Sequence, residues 1–437
     1  MFMLNNPDYY KKEKLGKWTG STPKTISLYE WRGNVLTLPF GALCDVWEKH
    51  PYKTDWICDI KPIEVIEYKS NINLYPYQEK AVNTVVSAKN GILVMPTGSG
   101  KTQVGIEIIS RISGRALWLT HTQDLLNQSK KRAEDVLDVP GNKPFGTITE
   151  GKVDIGTHVT FATVQTMCKV DLSRYRNCFD VIIVDEVHHC AGSPTRVTQF
   201  YKVLSSLSAR YKIGLTATPK RADGLERSMF ALLGDKAYEV TREEVADTTC
   251  PVVVERYETG YMPDLDRILN GDGTINYSEV VSDLIENEDR TRFVVDKINE
   301  HADDQMIVLA NRVVYLERLK SAYKGKAVCL SGAGQSKKAK AERKEALRKL
   351  NDGEINAVFA TYQLAKEGLD VPNLRYVVFS TPEKDETTII QSAGRVGRKA
   401  DGKDCGTVID FVDGFGMFKS WAKKRISYYK KIGVNFS

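Results

Sequence analysis

The stretch VIIVDEVHHC (181–190) puts two carboxylates, two histidines and a cysteine directly behind four apolar residues. Asp185, Glu186, His188, His189 and Cys190 are all side-chain types that ligate zinc or iron. Carboxylates at the end of an apolar strand can also serve a magnesium-bound phosphate. A second stretch decides between the two chemistries. MPTGSGKT (95–102) follows the apolar run GILVM and opens the helical pattern TQVGIEII. A loop of Thr97, Gly98, Ser99 and Gly100 lets backbone N–H groups wrap a polyphosphate, and the helix N-terminus behind it favours negative charge. Lys101 is placed to reach the β- and γ-phosphates, and Thr102 to ligate Mg²⁺. One departure stands out: the strict pattern starts with Gly, where this chain has Met95.

A magnesium nucleotide site needs a carboxylate on a neighbouring strand, and VIIVD supplies it. Asp185 is expected to hold Mg²⁺ through water, and Glu186 to orient and deprotonate the attacking water. His188 and His189 then lie beyond the strand tip, facing the other half of the protein. Adjacent histidines point in different directions and rarely share one ion, so a transition-metal centre is not expected. QSAGRVGR (391–398) adds Arg395 and Arg398, three apart and so on one face of a helix. Arginines delivered from a second domain neutralise charge developing on a γ-phosphate, worth roughly 10³–10⁵ in rate. The competing reading is a surface helix of salt bridges.

These residues need strands to hold them. From residue 91, GILVM, ALWLT (116–120), VTFAT (159–163), VIIVD and YKIGLT (211–216) are continuous apolar runs, with helical patterns between most of them. That is the pattern of a parallel sheet covered on both faces. It restarts with MIVLA (306–310), AVCL (327–330), NAVFAT (356–361), RYVVFS (375–380) and GTVIDFV (406–412). The predicted fold is α/β, two parallel-sheet domains in tandem behind a small N-terminal α+β accessory domain. The expected boundaries are 1–65, 66–245 and 246–437. A hairpin is expected in KTISLYEWRGNVLTLPF, turning at Arg32-Gly33-Asn34.

Composition permits this. The chain has 437 residues, 42% hydrophobic and 27% charged, enough for about three domains with cores. A net charge of +6 is compatible with a polyanionic partner. No apolar run approaches the ~18 residues of a membrane helix, and MFMLNNPDYYKKEK lacks the apolar core of a secretion signal. The eight cysteines are widely spaced with no CxxC pair, and read as reduced thiols of a cytoplasmic protein.

In this order, MPTGSGKT, DEVHH, GLTATP and QSAGRVGR resemble motifs I, II, III and VI of superfamily-2 helicases, over about residues 72 to 412. The resemblance implies two RecA-like domains that bind ATP and Mg²⁺ between them and grip nucleic acid in alternation. It implies that Gln78 reads adenine, although Tyr75 stands where many relatives carry Arg. THTQDLLNQ (120–128) and TVQTM (163–167) resemble motifs Ia and Ib, which implies backbone contacts from Thr122, Gln165 and Thr166. LANR (309–312) resembles motif IV, with Arg312 on nucleic acid. FATYQLAKEGLD (359–370) resembles motif V, with Thr361 on nucleic acid and Gly368 and Asp370 near ribose and γ-phosphate. His188, Thr216, Thr218 and Gln391 are expected to couple the two sites.

DEVHH and TATPKRADG (216–224) are similar to the DNA-directed branch, and the compact length to phage branch-migration helicases of the UvsW type. The implied activity is ATP-dependent unwinding of forks, junctions and tailed duplexes in recombination, repair or replication restart. Movement 3′-to-5′ and a monomeric state are implied as well. A duplex translocase that leaves strands paired, and a non-enzymatic nucleic-acid sensor, are the alternatives.

Three further stretches carry weaker expectations. The helix KKAKAERKEALRKL (337–350) is basic and reads as a solvated face. In GFGMFKSWAKKRISYYKK (414–431), helical spacing puts Phe418, Trp421 and Tyr428 near one packed face. RILNGDGTINYSE (267–279) imitates a calcium loop but has Ile268 where the first Asp is needed. It reads as a connecting insertion between the lobes.

Overall fold

The computed structural model describes residues 2–39, 41, 60–149, 152–191, 193–217, 225–330, 337–366, 371, 373–400 and 402–436. The chain divides into two compact units, Met1–Pro96 with Gly100–Thr241, and Arg242–Ser437 with Thr97–Ser99.

The first unit is built on an eight-stranded sheet. Its spatial order is Lys152–Asp154, Phe145–Thr149, Val159–Thr163, Ala116–Thr120, Val181–Val184, Tyr211–Thr216, Asn90–Val94, Lys236–Glu239. Only the outermost Lys152–Asp154 strand runs antiparallel to its neighbour. Ile183 pairs with Trp118 on one side and Ile213 on the other, and all three are fully buried. Burial on both faces explains why these strands read as unbroken apolar runs. Because Tyr211–Thr216 lies between Val181–Val184 and Asn90–Val94, the loops after all three strands emerge side by side at one sheet edge. That is where ligands bind in open parallel sheets.

The segment before this sheet contributes a two-stranded pairing, Met3–Asn5 with Thr25–Ser27, and a hairpin, Glu30–Arg32 with Val35–Thr37. Arg32 pairs with Val35, so the turn is Gly33-Asn34, one residue shorter than the sequence reading. Trp31 is 60% exposed. Leu4, Ile26 and Leu28 are buried in the same apolar cluster as Phe179, Phe200 and Met167 of the first unit.

One strand carries a misfit. Lys212 is 5% exposed, and its ammonium donates to the Leu204 carbonyl at 2.7 Å. Burial, with a smaller contribution from Arg176, pulls its pKa down from 10.5 to about 8. Below about pH 8 the folded and unfolded chains both carry this proton, so the full penalty of a buried charge is present. Between 8 and 10.5 the unfolded chain binds more protons, and stability rises with pH. The gap corresponds to roughly 3 kcal/mol, less ~1 for the orphaned Leu204 carbonyl if the amine is removed. Lys212→Met is therefore expected to stabilise the first unit by about 1–2 kcal/mol at pH 7. The gain should vanish above about pH 10, and urea unfolding at the two pH values checks it.

The second unit has a seven-stranded, all-parallel sheet. Its order is Ala327–Cys329, Ala357–Thr361, Met306–Ala310, Tyr376–Phe379, Gly406–Val412, Val252–Glu258, Asn435–Phe436. Val252–Glu258 has no counterpart among the apolar runs read from the sequence. Its side chains are mostly half-buried, so VVVERYE lacks the unbroken apolar run of a central strand. Two buried ion pairs tie helices to this sheet. Arg290 pairs with Asp413, and Arg425 with Asp410, each residue 2% exposed or less.

The 265–286 segment belongs to this unit. Ile268, Val280 and Leu284 pack with Tyr261 and Phe418. Asn276 caps the helix Tyr277–Glu286, and the carboxylate of Asp272 accepts from the Thr274 amide and hydroxyl. The sequence reading of a connecting insertion misses this packing because its few apolar residues are split across a polar loop. On the last helix, Gly416–Lys431, the buried face is Phe418, Ala422, Arg425 and Tyr429; Trp421 and Tyr428 are half-buried. The expected face is thus displaced, because the charged Arg425 lies inside, held by Asp410.

Candidate functional site

The nucleotide loop forms where a strand must hand over to a helix. Asn90–Val94 ends the strand, and the helix Lys101–Ile112 begins one residue after Gly100. Gly98 and Gly100 have φ of +85° and +82°, a region that side chains with a Cβ rarely enter. Gly100 is doubly constrained. A Cβ there would lie 2.5 Å from Gln78 Nε2. Gln78 is 2% exposed, and its Oε1 accepts from the Tyr75 amide at 3.0 Å, so it has little room to retreat. Gly100→Ala is expected to cost about 1–2 kcal/mol from the backbone alone and to weaken ATP binding. Adding Gln78→Ala should relieve the contact but not the backbone strain. Thermal shift with and without ATP measures both.

The acidic side of the site follows Val181–Val184. Asp185 is 5% exposed, and its Oδ1 accepts from the Glu186 amide at 3.0 Å. Lys101 Nζ lies 3.8 Å from Glu186 Oε1. Burial and the adjacent Glu186 push Asp185 above the usual carboxylate range, against Lys101. Burial also pushes Glu186 up, but Lys101, His188 and His121 outweigh it and hold the carboxyl below its usual range. Two adjacent carboxylates, Asp185 buried and Glu186 partly exposed, facing one lysine leave an excess of negative charge, which a divalent cation relieves. Glu186 Oε2 is shut away from solvent and lies 3.3 Å from His188 Nδ1. Thr102 lies in the first turn of the helix Lys101–Ile112, next to Lys101. The donor set therefore fits Mg²⁺ and a polyphosphate. Glu186 also has φ +48°, an outlier of the kind found where catalytic groups are held in place.

The histidines do not converge on a point. His188 is 2% exposed; its Nδ1 lies 3.0 Å from Thr216 Oγ1 and 3.3 Å from Glu186 Oε2. The His189 ring is 4.2 Å from the His188 ring and 3.4 Å from the His121 ring, the latter stacked at 28°. Sequence reading missed His121. Its only signal is its place immediately after the apolar run ALWLT.

Thr122 caps the helix Gln123–Val136, accepting from the Leu125 amide at 3.3 Å. Gln165 Nε2 donates to the His121 carbonyl at 3.1 Å. Thr166 is 8% exposed and hydrogen-bonded to Thr163. Thr97 and Ser99 flank Gly98 in the loop, and Ser99 is 1% exposed. In the second unit, Gln391 and Arg395 lie on the helix Glu386–Val396, with Arg398 just beyond it. Arg312 is exposed ahead of the helix Val313–Ala322 and donates to Ser278 Oγ at 3.2 Å. Thr361 ends its strand and accepts from the Leu364 amide at 3.4 Å. Thr218, Gly368 and Asp370 lie outside the described residues.

A glycine loop, a lysine and paired carboxylates at the ends of parallel strands define a P-loop nucleotide hydrolase. Comparison with known proteins sharpens this. Residues 71–221 match the family described as type III restriction enzyme, res subunit, and residues 289–400 the helicase conserved C-terminal domain. Protein L396 of Acanthamoeba polyphaga mimivirus, named provisionally as an ATP-dependent RNA helicase, is 26% identical over 86% of this chain and 70% of its own. The DNA 3′-5′ translocase XPB2 of Sulfurisphaera tokodaii is 26% identical over 79% of this chain and 82% of its own. Among solved structures, the type ISP restriction-modification enzyme LlaBIII bound to DNA has a TM-score of 0.62 at 18% identity. That match covers 83% of this chain but only 30% of the enzyme. The fold is that of two RecA-like domains. The chain is an ATP-hydrolysing helicase of superfamily 2. No described helix is long and apolar enough to cross a membrane.

Proposed function

We propose that this chain is a DNA helicase that unwinds forked and branched DNA and drives branch migration, after the manner of the phage UvsW type. The observation that carries the ATP half is Glu186: held ionised between Lys101 and His188, next to the buried Asp185. The DNA half rests on relatives. XPB2 is named as a DNA translocase, and LlaBIII is described as bound to DNA.

In this reading the amides after Pro96 and the Lys101 ammonium hold the polyphosphate, and Gln78 holds the base. Mg²⁺, held by Thr102 and Asp185, would neutralise the phosphate oxygens and so ease departure of the leaving group. Glu186 orients a water and accepts its proton. Arg395 and Arg398, from the second unit, steady the charge on the γ-phosphate, and Gly368 and Asp370 lie near the ribose and γ-phosphate. Closure around ATP and release after hydrolysis alternate the grip of Thr122, Gln165 and Thr166 with that of Arg312 and Thr361. His188, Thr216, Thr218 and Gln391 link the two cycles. Phosphate contacts make binding sequence-independent and salt-sensitive.

The XPB2 match favours a second reading, translocation on duplex without strand release. Strand separation on a fork, a mobile four-way junction and a blunt duplex decides, with an RNA fork alongside. Loss of the fork and junction strands supports the helicase. Duplex-stimulated turnover without release supports the translocase, and preference for the RNA fork removes DNA from the proposal.

A further inference from the structure

Ala116–Thr120 and Val181–Val184 are neighbouring parallel strands, so the residues just past their ends lie side by side. His121 follows the first strand and His189 lies beyond the second. Their rings stack at 3.4 Å, and His189 continues at 4.2 Å to His188. His188 in turn touches Thr216 and Glu186. At the other end, the His121 carbonyl is held by Gln165, and the next residue, Thr122, caps a helix. A run of three imidazoles, the first two stacked and the third tilted at 37°, therefore leads from the residue before Thr122 to the Glu186 carboxylate.

We propose that the stacked rings of His121 and His189 are positioning residues that transmit nucleic-acid occupancy at the Thr122–Gln165 loop to His188, and through it to Glu186. The inference rests on the proposed reading of Thr122 and Gln165 as nucleic-acid contacts. Its physical basis is packing. Flat rings at van der Waals distance transmit a displacement normal to their planes, and they resist separation by the worth of an aromatic contact. A shift of the His121 loop on binding is passed to His189, which has His188 on its other side. His188 can move only by changing its distance to Thr216 or Glu186. Either change reorients the acceptor for the hydrolytic water. Nucleic acid then biases the population in which Glu186 is aligned, without touching the ATP site.

The test is ATP turnover of the full chain with and without DNA, alongside DNA affinity, for His189→Ala, His189→Phe and His121→Ala. His189→Ala should leave basal turnover within about threefold of the parent and DNA affinity unchanged, while stimulation by DNA falls about five- to tenfold, the scale of one aromatic contact. His189→Phe keeps a flat ring and should restore most of the stimulation. The His121→Ala, His189→Ala pair should lose no more stimulation than either alone, since one break severs the run. Equal proportional loss of basal and stimulated rates would reduce His189 to a structural role and overturn the proposal. So would intact stimulation in His189→Ala. If the parent chain's turnover does not respond to DNA at all, the parent reading has failed and the proposal falls with it.

Discussion

Lys101→Ala should lose ATP turnover by roughly 10²–10³-fold, and Glu186→Gln by a comparable factor, but the two should fail differently. Lys101 Nζ sits 3.8 Å from Glu186 Oε1, immediately after the glycine loop. Removing it takes a charge from the polyphosphate and also from Glu186, which Lys101 helps to keep ionised. Both binding and chemistry should suffer, so ATP affinity falls along with the rate. Glu186→Gln removes the proton acceptor while leaving the loop, Lys101 and Thr102 in place. That variant should bind ATP at least as well as the parent and hold it unhydrolysed. Strand-separation activity should disappear in both. Equilibrium binding of a labelled ATP analogue, with single-turnover hydrolysis, separates the two defects. Retained turnover in Glu186→Gln would assign the water-activating role to another group.

The contrast between these residues and their supports shows what a sequence exposes. The glycine loop, Lys101, Asp185 and Glu186 were legible because each depends on short-range context: an apolar strand, a turn that needs positive φ, a helix start. That two parallel sheets follow one another along the chain was legible for the same reason, since strands buried on both faces are unbroken apolar runs. What stayed hidden depends on pairs brought together by the sheet. Gln78 against Gly100, and His121 against His189, become neighbours only once strand order is known. Thr122, Thr166 and Thr361 carry a second ambiguity. Thr122 and Thr361 each accept from a first-turn helix amide, and Thr166 lies inside a short helix capped by Thr163, so each has a purely local reason to be there. Glu186's left-handed backbone has no sequence signal at all, because glutamate is not a residue that favours it. Arg290 and Arg425 were the most misleading: EDRTRF and KKRISYYKK look like solvated charge, yet both guanidinium groups are buried.

Breaking one of those hidden pairs is expected to have the largest effect on stability. Arg290 Nε donates to Asp413 Oδ1 at 2.6 Å and Nη2 to Oδ2 at 3.0 Å. Its remaining donors reach the Tyr315 hydroxyl and the Ser380 carbonyl, each at 2.9 Å. Asp413 also accepts from Thr259 Oγ1 at 2.6 Å. The helix Glu288–Asn299 is thereby fixed to the ends of the strands Tyr376–Phe379 and Gly406–Val412. A guanidinium with four hydrogen bonds in such a place adds little net stability over an apolar replacement, but stranding it is expensive. Asp413→Ala should lower the stability of the second unit by about 3–5 kcal/mol. Arg290→Met combined with Asp413→Ala should lose less than Asp413→Ala alone, because no charge is left buried. Urea unfolding read on the second unit tests both. ATP analogue binding to the Lys101 loop should be retained wherever the chain remains folded, since that loop and the carboxylates facing it do not depend on this pair. A double variant as unstable as Asp413→Ala would show that the hydrogen bonds to Tyr315, Ser380 and Thr259, and not the stranded charge, set the cost.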